Sequence, residues 1–377
     1  MISKILTAYG FKTREQQLAF IELLALAACF EPKTLTEDLN ATGHSNLQIE
    51  TALCIATEAS KSPFNAELIL DKLFMNNSLQ GWPAENHQWL IKVTQREFFG
   101  RKSGQERWQI ETGKWLTQHA GKINQILPFL PHTKTIPLQK QVYHAMVIFG
   151  ARATIIKKRL QYAKDLIEAS GITIQHLYLL AGERIATLDE KVDGSQTYLQ
   201  QVAEKYASIN KQYGIAENKV IETQLMQAAY DEVKGSGKFA TIPMSLIHTP
   251  KGDKDRPVTE MTLTALAAFL LSTDLSSKPS GDYVFISSIP HINTQYEDTL
   301  FIMGEKIPTI QCEVVGDKLS DLPITETVSA IAGALLKGAP RVAIELGSQK
   351  NKLQLRELFE AQKFGVPVVS LGVENKK

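Results

Sequence analysis

The sequence predicts an α/β chain: a Rossmann-like, mostly parallel sheet with helices on both faces, preceded by an all-helical N-terminal domain. Three observations predict it. From Val142 to Val315, apolar blocks of strand length alternate with helical patterns. Before residue 130, the apolar residues keep helical spacing instead. In the second half, the polar residues fall where the strand-like blocks end, which is where open α/β sheets bind ligands.

Taken in order, Phe20, Leu23, Leu24, Ala27 and Ala28 recur at helical spacing, as do Ile49, Leu53 and Ala56, and then Leu68, Ile69, Leu70, Leu73 and Phe74. Gly81-Trp82-Pro83 and Gly100–Gly104 are breaks. All four tryptophans, Trp82, Trp89, Trp108 and Trp115, fall in this region. They read as the large core pieces of a helical domain, with a stacking platform for bases as the competing reading. A proline-bearing linker (Pro128, Pro131, Pro137) closes a first domain over 1–133.

A second domain, 140–316, opens with the strand Val142–Phe149. A helix follows with Ile155, Ile156, Leu160, Ala163, Leu166 and Ile167 on one face, ended by Gly171. His176–Leu180, Met244–Ile247, Tyr283–Ile286 and Thr309–Val315 are further strands. Helices are expected at Tyr198–Tyr213, Ile221–Val233 and Thr259–Leu271. This rhythm implies parallel pairing. Beyond it, 317–377 reads as a C-terminal α/β extension: a helix at Thr325–Lys337, a strand at Arg341–Leu346, a helix at Lys352–Lys363 and a strand at Val366–Leu371.

Composition bounds the function. A net charge of +1 supplies no global field for nucleic acid. The longest nearly continuous apolar stretch, Leu23–Phe30, is short of the roughly 20 residues a bilayer span needs. No secretory leader is legible, so a cytoplasmic protein is expected, with signal-independent secretion left open. The three cysteines are scattered and read as reduced thiols, Cys29 and Cys54 as core residues. No HExxH or CxxC spacing points to a metal.

The strand ends carry the candidate chemistry. Gly150-Ala151-Arg152 turns from strand into helix. Glycine permits close approach, the helix start favours an anion, and Arg152 offers a fork for phosphate or carboxylate. A tight turn with an exposed arginine is the competing reading. Arg159, further along that helix, reads as a peripheral ion pair. Gly182-Glu183-Arg184 ends the second strand, with Glu183 a base or the partner of Arg184 or Arg152. Glu222 stands in a first helical turn, where the dipole favours a carboxylate. Arg256 precedes a helix start with Thr259 as N-cap, an anion clamp or a solvated loop. Thr294-x-x-Glu297 fits a capping box. His291, just ahead of it, is the acid–base candidate beside Ser287 and Ser288.

This ordered set resembles the bacterial YdcF-, SanA- and ElyC-like proteins, which share a Rossmann-like domain. The resemblance rests on Gly150, Arg159 and Ala163; on Tyr178–Gly182; on Glu222 and Met226; on Arg256-Pro257-Val258-Thr259-Glu260; and on Ser287–His291 with Gln295 beyond. It covers roughly 140–316. SanA- and ElyC-like members look membrane-anchored, and no anchor is legible in this chain. The resemblance implies a ligand at the strand ends, S-adenosylmethionine among the candidates. The expected function is binding of an anionic small molecule, nucleotide-like or phosphorylated. Gly150, Arg152, Gly182, Glu222, Arg256, Thr259, Ser287 and Ser288 would line the site, and His291 and Glu183 would be its acid–base pair. A hydrolase or transferase acting on phosphate-containing substrates is one alternative. A secreted effector that holds a protein partner through its N-terminal domain is another.

Overall fold

The computed structural model describes residues 3–75, 82–99, 114–133, 135–186, 197–253, 257–273, 279–317 and 324–345. The chain divides into two compact units, one formed by Met1–Lys134 with Asp321–Lys377 and the other by Thr135–Ser320.

The described elements of the first unit are helical: α1 (Lys4–Ala8), α2 (Arg14–Leu26), α3 (Pro32–Ala41), α4 (Asn46–Ala59), α5 (Ala66–Ile69), α6 (Trp82–Thr94), α7 (Lys114–Gln118) and α8 (Ala120–Ile126). Local chemistry starts them. Thr13 and Gln16 form a reciprocal capping box on α2, and Ser45 and Gln48 do the same on α4. Their apolar faces build one core in which Phe11 and Phe20 stack at 4.4 Å and Trp89 is fully buried. Trp115 packs on Phe98, so these two tryptophans are core pieces. Trp108 lies outside the described residues.

A long helix, Ile324–Glu345, joins this core through Val328, Ile331, Ala332 and Leu335. The strand expected at Arg341–Leu346 is therefore corrected: residues 341–345 continue the helix. Short apolar runs do not distinguish strand from buried helix by pattern. The helix and strand expected over 352–371 lie outside the described residues. Cys54 is also corrected. Ile49, Ala52, Ala56 and Ala59 hold the buried face of α4, and Cys54 is exposed, whereas Cys29 is buried.

His132 in this unit is 3% exposed, and burial holds its imidazole down to about 4. The unfolded chain takes up the proton near the ordinary 6.5. The stability that depends on the neutral ring is full above pH 6.5 and is lost as pH falls to about 4. The loss is roughly 3 kcal/mol at 1.36 kcal/mol per pH unit. Urea unfolding followed by tryptophan emission, which reports this unit, should weaken from pH 7 to pH 5 in the native chain. In His132→Phe, that part of the slope should vanish.

The second unit is a five-stranded parallel sheet in the order β3-β2-β1-β4-β5. Its strands are β1 (Val142–Phe149), β2 (Thr173–Gly182), β3 (Met244–Thr249), β4 (Gly281–Ser288) and β5 (Ile310–Asp317). β1 ends at Phe149 as expected, and β2 to β5 each run two residues past the carboxyl end of the expected apolar block, because the polar ends still pair through backbone. α9 (Ala153–Glu168) buries Ile156, Leu160, Ala163 and Ile167 on one face of the sheet. α12 (Glu222–Val233) packs beside it. Between β2 and α12 lie α10 (Thr197–Lys205) and α11 (Ala207–Tyr213), so the single helix expected at Tyr198–Tyr213 is two helices that break at Tyr206. A short α13 (Lys238–Thr241) precedes β3. α14 (Thr259–Thr273) and α15 (Ile292–Lys306) lie against the other face, where Phe269 meets Tyr178 edge-on at 6.0 Å. No helix of the described residues is long and apolar enough to cross a membrane.

Candidate functional site

In this strand order the chain runs from β1 outward in two directions, so the switch point lies between the carboxyl ends of β1 and β4. Two helices leave that crevice. α9 begins at Arg152 and α15 at His291, both half-buried, and neither receives a hydrogen bond from an N-cap side chain. The starts of both helices place positive dipole ends at the switch point.

The floor of the crevice is braced by Arg159. It is 3% exposed, so it lies inside the unit where the sequence suggests a peripheral place. Its Nη1 donates to the Phe149 and Gly150 carbonyls at 2.9 and 2.8 Å, and its Nε and Nη2 donate to Ser288 Oγ at 3.3 and 2.9 Å. One guanidinium thus holds the β1 turn against the end of β4. Ser288 accepts these bonds and keeps its own proton to donate. The neighbouring Ser287 hydroxyl donates to the Gln295 Oε1. In the loop after β4, the His291 N–H donates to the Ser288 carbonyl at 2.8 Å.

The second polar group stands at the end of β2. An antiparallel bridge between Ile185 and Ile221 closes the excursion that carries α10 and α11. It sets Arg184 beside Glu222: the Glu222 N–H donates to the Arg184 carbonyl at 2.8 Å, and Arg184 Nε meets Glu222 Oε2 at 2.7 Å. Arg184 Nη2 also donates to the Ala151 carbonyl at 2.9 Å. Gly150 is required here. A Cβ on it would overlap Glu222 Oε1 and stand 2.8 Å from the Leu180 carbonyl oxygen. Gly182 is equally confined, by Pro257 Cγ at 2.6 Å and the Thr249 carbonyl oxygen at 3.1 Å from its own would-be Cβ.

The expected site residues are distributed as follows. Gly150, Glu222, Ser288 and His291 gather at the β1, β2 and β4 ends through the bonds above, and Arg152 is the N-cap residue of α9. Glu222 is more than a dipole partner, because it is the carboxylate of a nearly buried ion pair. Glu183 does not pair with Arg184 or meet His291. Its carboxylate accepts from the Lys251 N–H at 3.2 Å, and its own N–H donates to the Thr249 carbonyl. Thr259, expected as an N-cap, is the first residue of α14 and follows Val258. The capping box expected at Thr294-x-x-Glu297 is absent, because α15 starts earlier and both residues are inside it. Arg256 lies outside the described residues. No group of three or more His, Cys, Asp or Glu among the described residues is placed to hold a metal ion.

Sequence reasoning passed over His248, Thr223 and Tyr213. Thr223 Oγ1 donates to the Gly182 carbonyl at 3.2 Å and lies 2.8 Å from His248 Nδ1. The His248 ring stacks on Tyr213 at 3.8 Å and 16°. Ending β3 at Ile247 hid this group. Two more residues of strand put His248 at a strand end like the others.

No family model, curated protein or solved structure matches this chain.

Proposed function

We propose that the second unit binds an anionic small molecule across the carboxyl ends of β1 and β4. The observation that carries this reading is the pair of helix starts, α9 and α15, that flank the switch point between β1 and β4. Gly150 lets a ligand approach the backbone, and Arg152 supplies a fork for a phosphate or carboxylate. Ser288 presents a hydroxyl proton, and Arg159 places a positive charge beneath the crevice. By its place in the sequence just before α14, Arg256 is a further candidate for holding the anion. The resemblance to the YdcF-, SanA- and ElyC-like proteins supports a ligand at this edge, with S-adenosylmethionine or a nucleotide-like phosphate as candidates. In the helical unit the exposed large apolar side chains among the described residues are Leu47 and Phe129, two single residues, which gives a partner-binding reading little to rest on.

Calorimetric titration with ATP, a phosphorylated sugar and S-adenosylmethionine tests the proposal. At least one should bind with one-to-one stoichiometry. Arg152→Ala should weaken it roughly 10- to 100-fold, the worth of one charge-assisted bond. Silence from all three, or a ligand indifferent to Arg152, would refute it.

A further inference from the structure

We propose that His248 is a proton acceptor of this same edge, serving a hydroxyl or amine of an extended ligand whose anionic group sits at the starts of α9 and α15. The inference rests on the anion-site reading for the ligand, but the state of His248 follows from its own neighbours. The Gly182 carbonyl can only accept, so the Thr223 hydroxyl spends its single proton there. Thr223 Oγ1 must then accept from His248 Nδ1 across the 2.8 Å between them. This relay fixes the Nδ1–H tautomer and leaves Nε2 as a bare lone pair. Nε2 has no hydrogen-bond partner among the described residues.

The surroundings keep the ring neutral and in place. Thr223 is fully buried, and Tyr213 covers one ring face. Three groups face the imidazole: Glu183 from the end of β2, Tyr213 from α11 and Thr223 from α12. The Glu183 carboxylate favours the charged ring, but burial outweighs it and pushes the imidazole below its ordinary value. Burial also raises the Tyr213 phenol, so it stays protonated. A half-buried, neutral, oriented imidazole is an acceptor at neutral pH.

Its position selects the ligand's length. β1 and β3 are two strand spacings apart, about 10 Å. A molecule anchored by phosphate at β1 must be extended to reach His248, as a nucleoside monophosphate is and inorganic phosphate is not.

The test uses the full chain labelled with 15N in the histidine rings and backbone. Without ligand, His248 should be the Nδ1–H tautomer and titrate below 6.5, and Thr223→Val should release it to a mixture of tautomers. Inorganic phosphate should move amides at the starts of α9 and α15 and leave the His248 ring unmoved. Adenosine 5′-monophosphate should move both. His248→Phe, which keeps the stack on Tyr213, should weaken the nucleotide about 5- to 10-fold, the worth of one hydrogen bond, and leave phosphate affinity unchanged. Amide spectra check that each variant is folded. An Nε2–H tautomer in the native chain would overturn the relay. A nucleotide that leaves the ring unmoved, or binds His248→Phe equally well, would overturn the ligand role. No response to phosphate would instead remove the anion site, while the tautomer still decides the relay.

Discussion

Arg159→Leu should destabilise the second unit by about 3–4 kcal/mol, the largest effect expected of any single change at the strand ends. The leucine keeps much of the packing but removes donors from the Phe149 and Gly150 carbonyls and from Ser288 Oγ. A polar group left unsatisfied in a buried position costs about 1–3 kcal/mol, and two carbonyls and a hydroxyl lose their partner together. Arg159→Lys keeps the charge but not the planar fork that reaches all three, so it should recover less than half of the loss. Urea unfolding monitored by far-ultraviolet circular dichroism checks both variants. A loss below about 1 kcal/mol for the leucine variant would mean that water replaces the guanidinium and that the β1–β4 brace has no energetic weight.

The second large effect is expected at the pair on β2. Glu222→Ala strips the carboxylate from Arg184, whose side chain is 8% exposed. Removing one partner of a buried ion pair costs about 3–5 kcal/mol when the other remains buried. Glu222 itself is 13% exposed, so the lower end applies. Gly150→Ala attacks the same junction from the other side and should cost about 1–3 kcal/mol by overpacking. The two changes are coupled. In Glu222→Ala the overlap with Oε1 is gone, yet the Leu180 carbonyl at 2.8 Å remains. The cost of Gly150→Ala should therefore shrink in that background without vanishing. Strict additivity across this double-mutant cycle would show that Glu222 is not what requires the glycine.

Particular residues show what was legible in the sequence. The strand cores were, because a parallel sheet covered on both faces leaves nearly unbroken apolar blocks such as Val142–Phe149. Their ends were not. Ala181 and Gly182, His248 and Thr249, and Ser287 and Ser288 continue the ladder through backbone groups that side-chain polarity does not report. Gly150 and Ser288 could be named as strand-end residues. The role of Arg159 could not, since its partner Ser288 lies 129 positions away along the chain. The Glu222–Arg184 pair was hidden for the same reason: only the bridge at Ile185 and Ile221 brings the ends of the long excursion together. Local motifs also misled. Thr294-x-x-Glu297 satisfies the capping-box pattern inside a helix already begun, and the short apolar run at Arg341 suits a strand as well as the helix it forms.

The central claim, an anion site between the carboxyl ends of β1 and β4, is tested most directly by mapping backbone amide shifts while inorganic phosphate is titrated into the full chain. Saturable shifts confined to Gly150–Thr154 and His291–Asn293 are the expected result, since those amides open the two helices at the switch point. Shifts spread over exposed lysines, or centred in the helical unit, would contradict it.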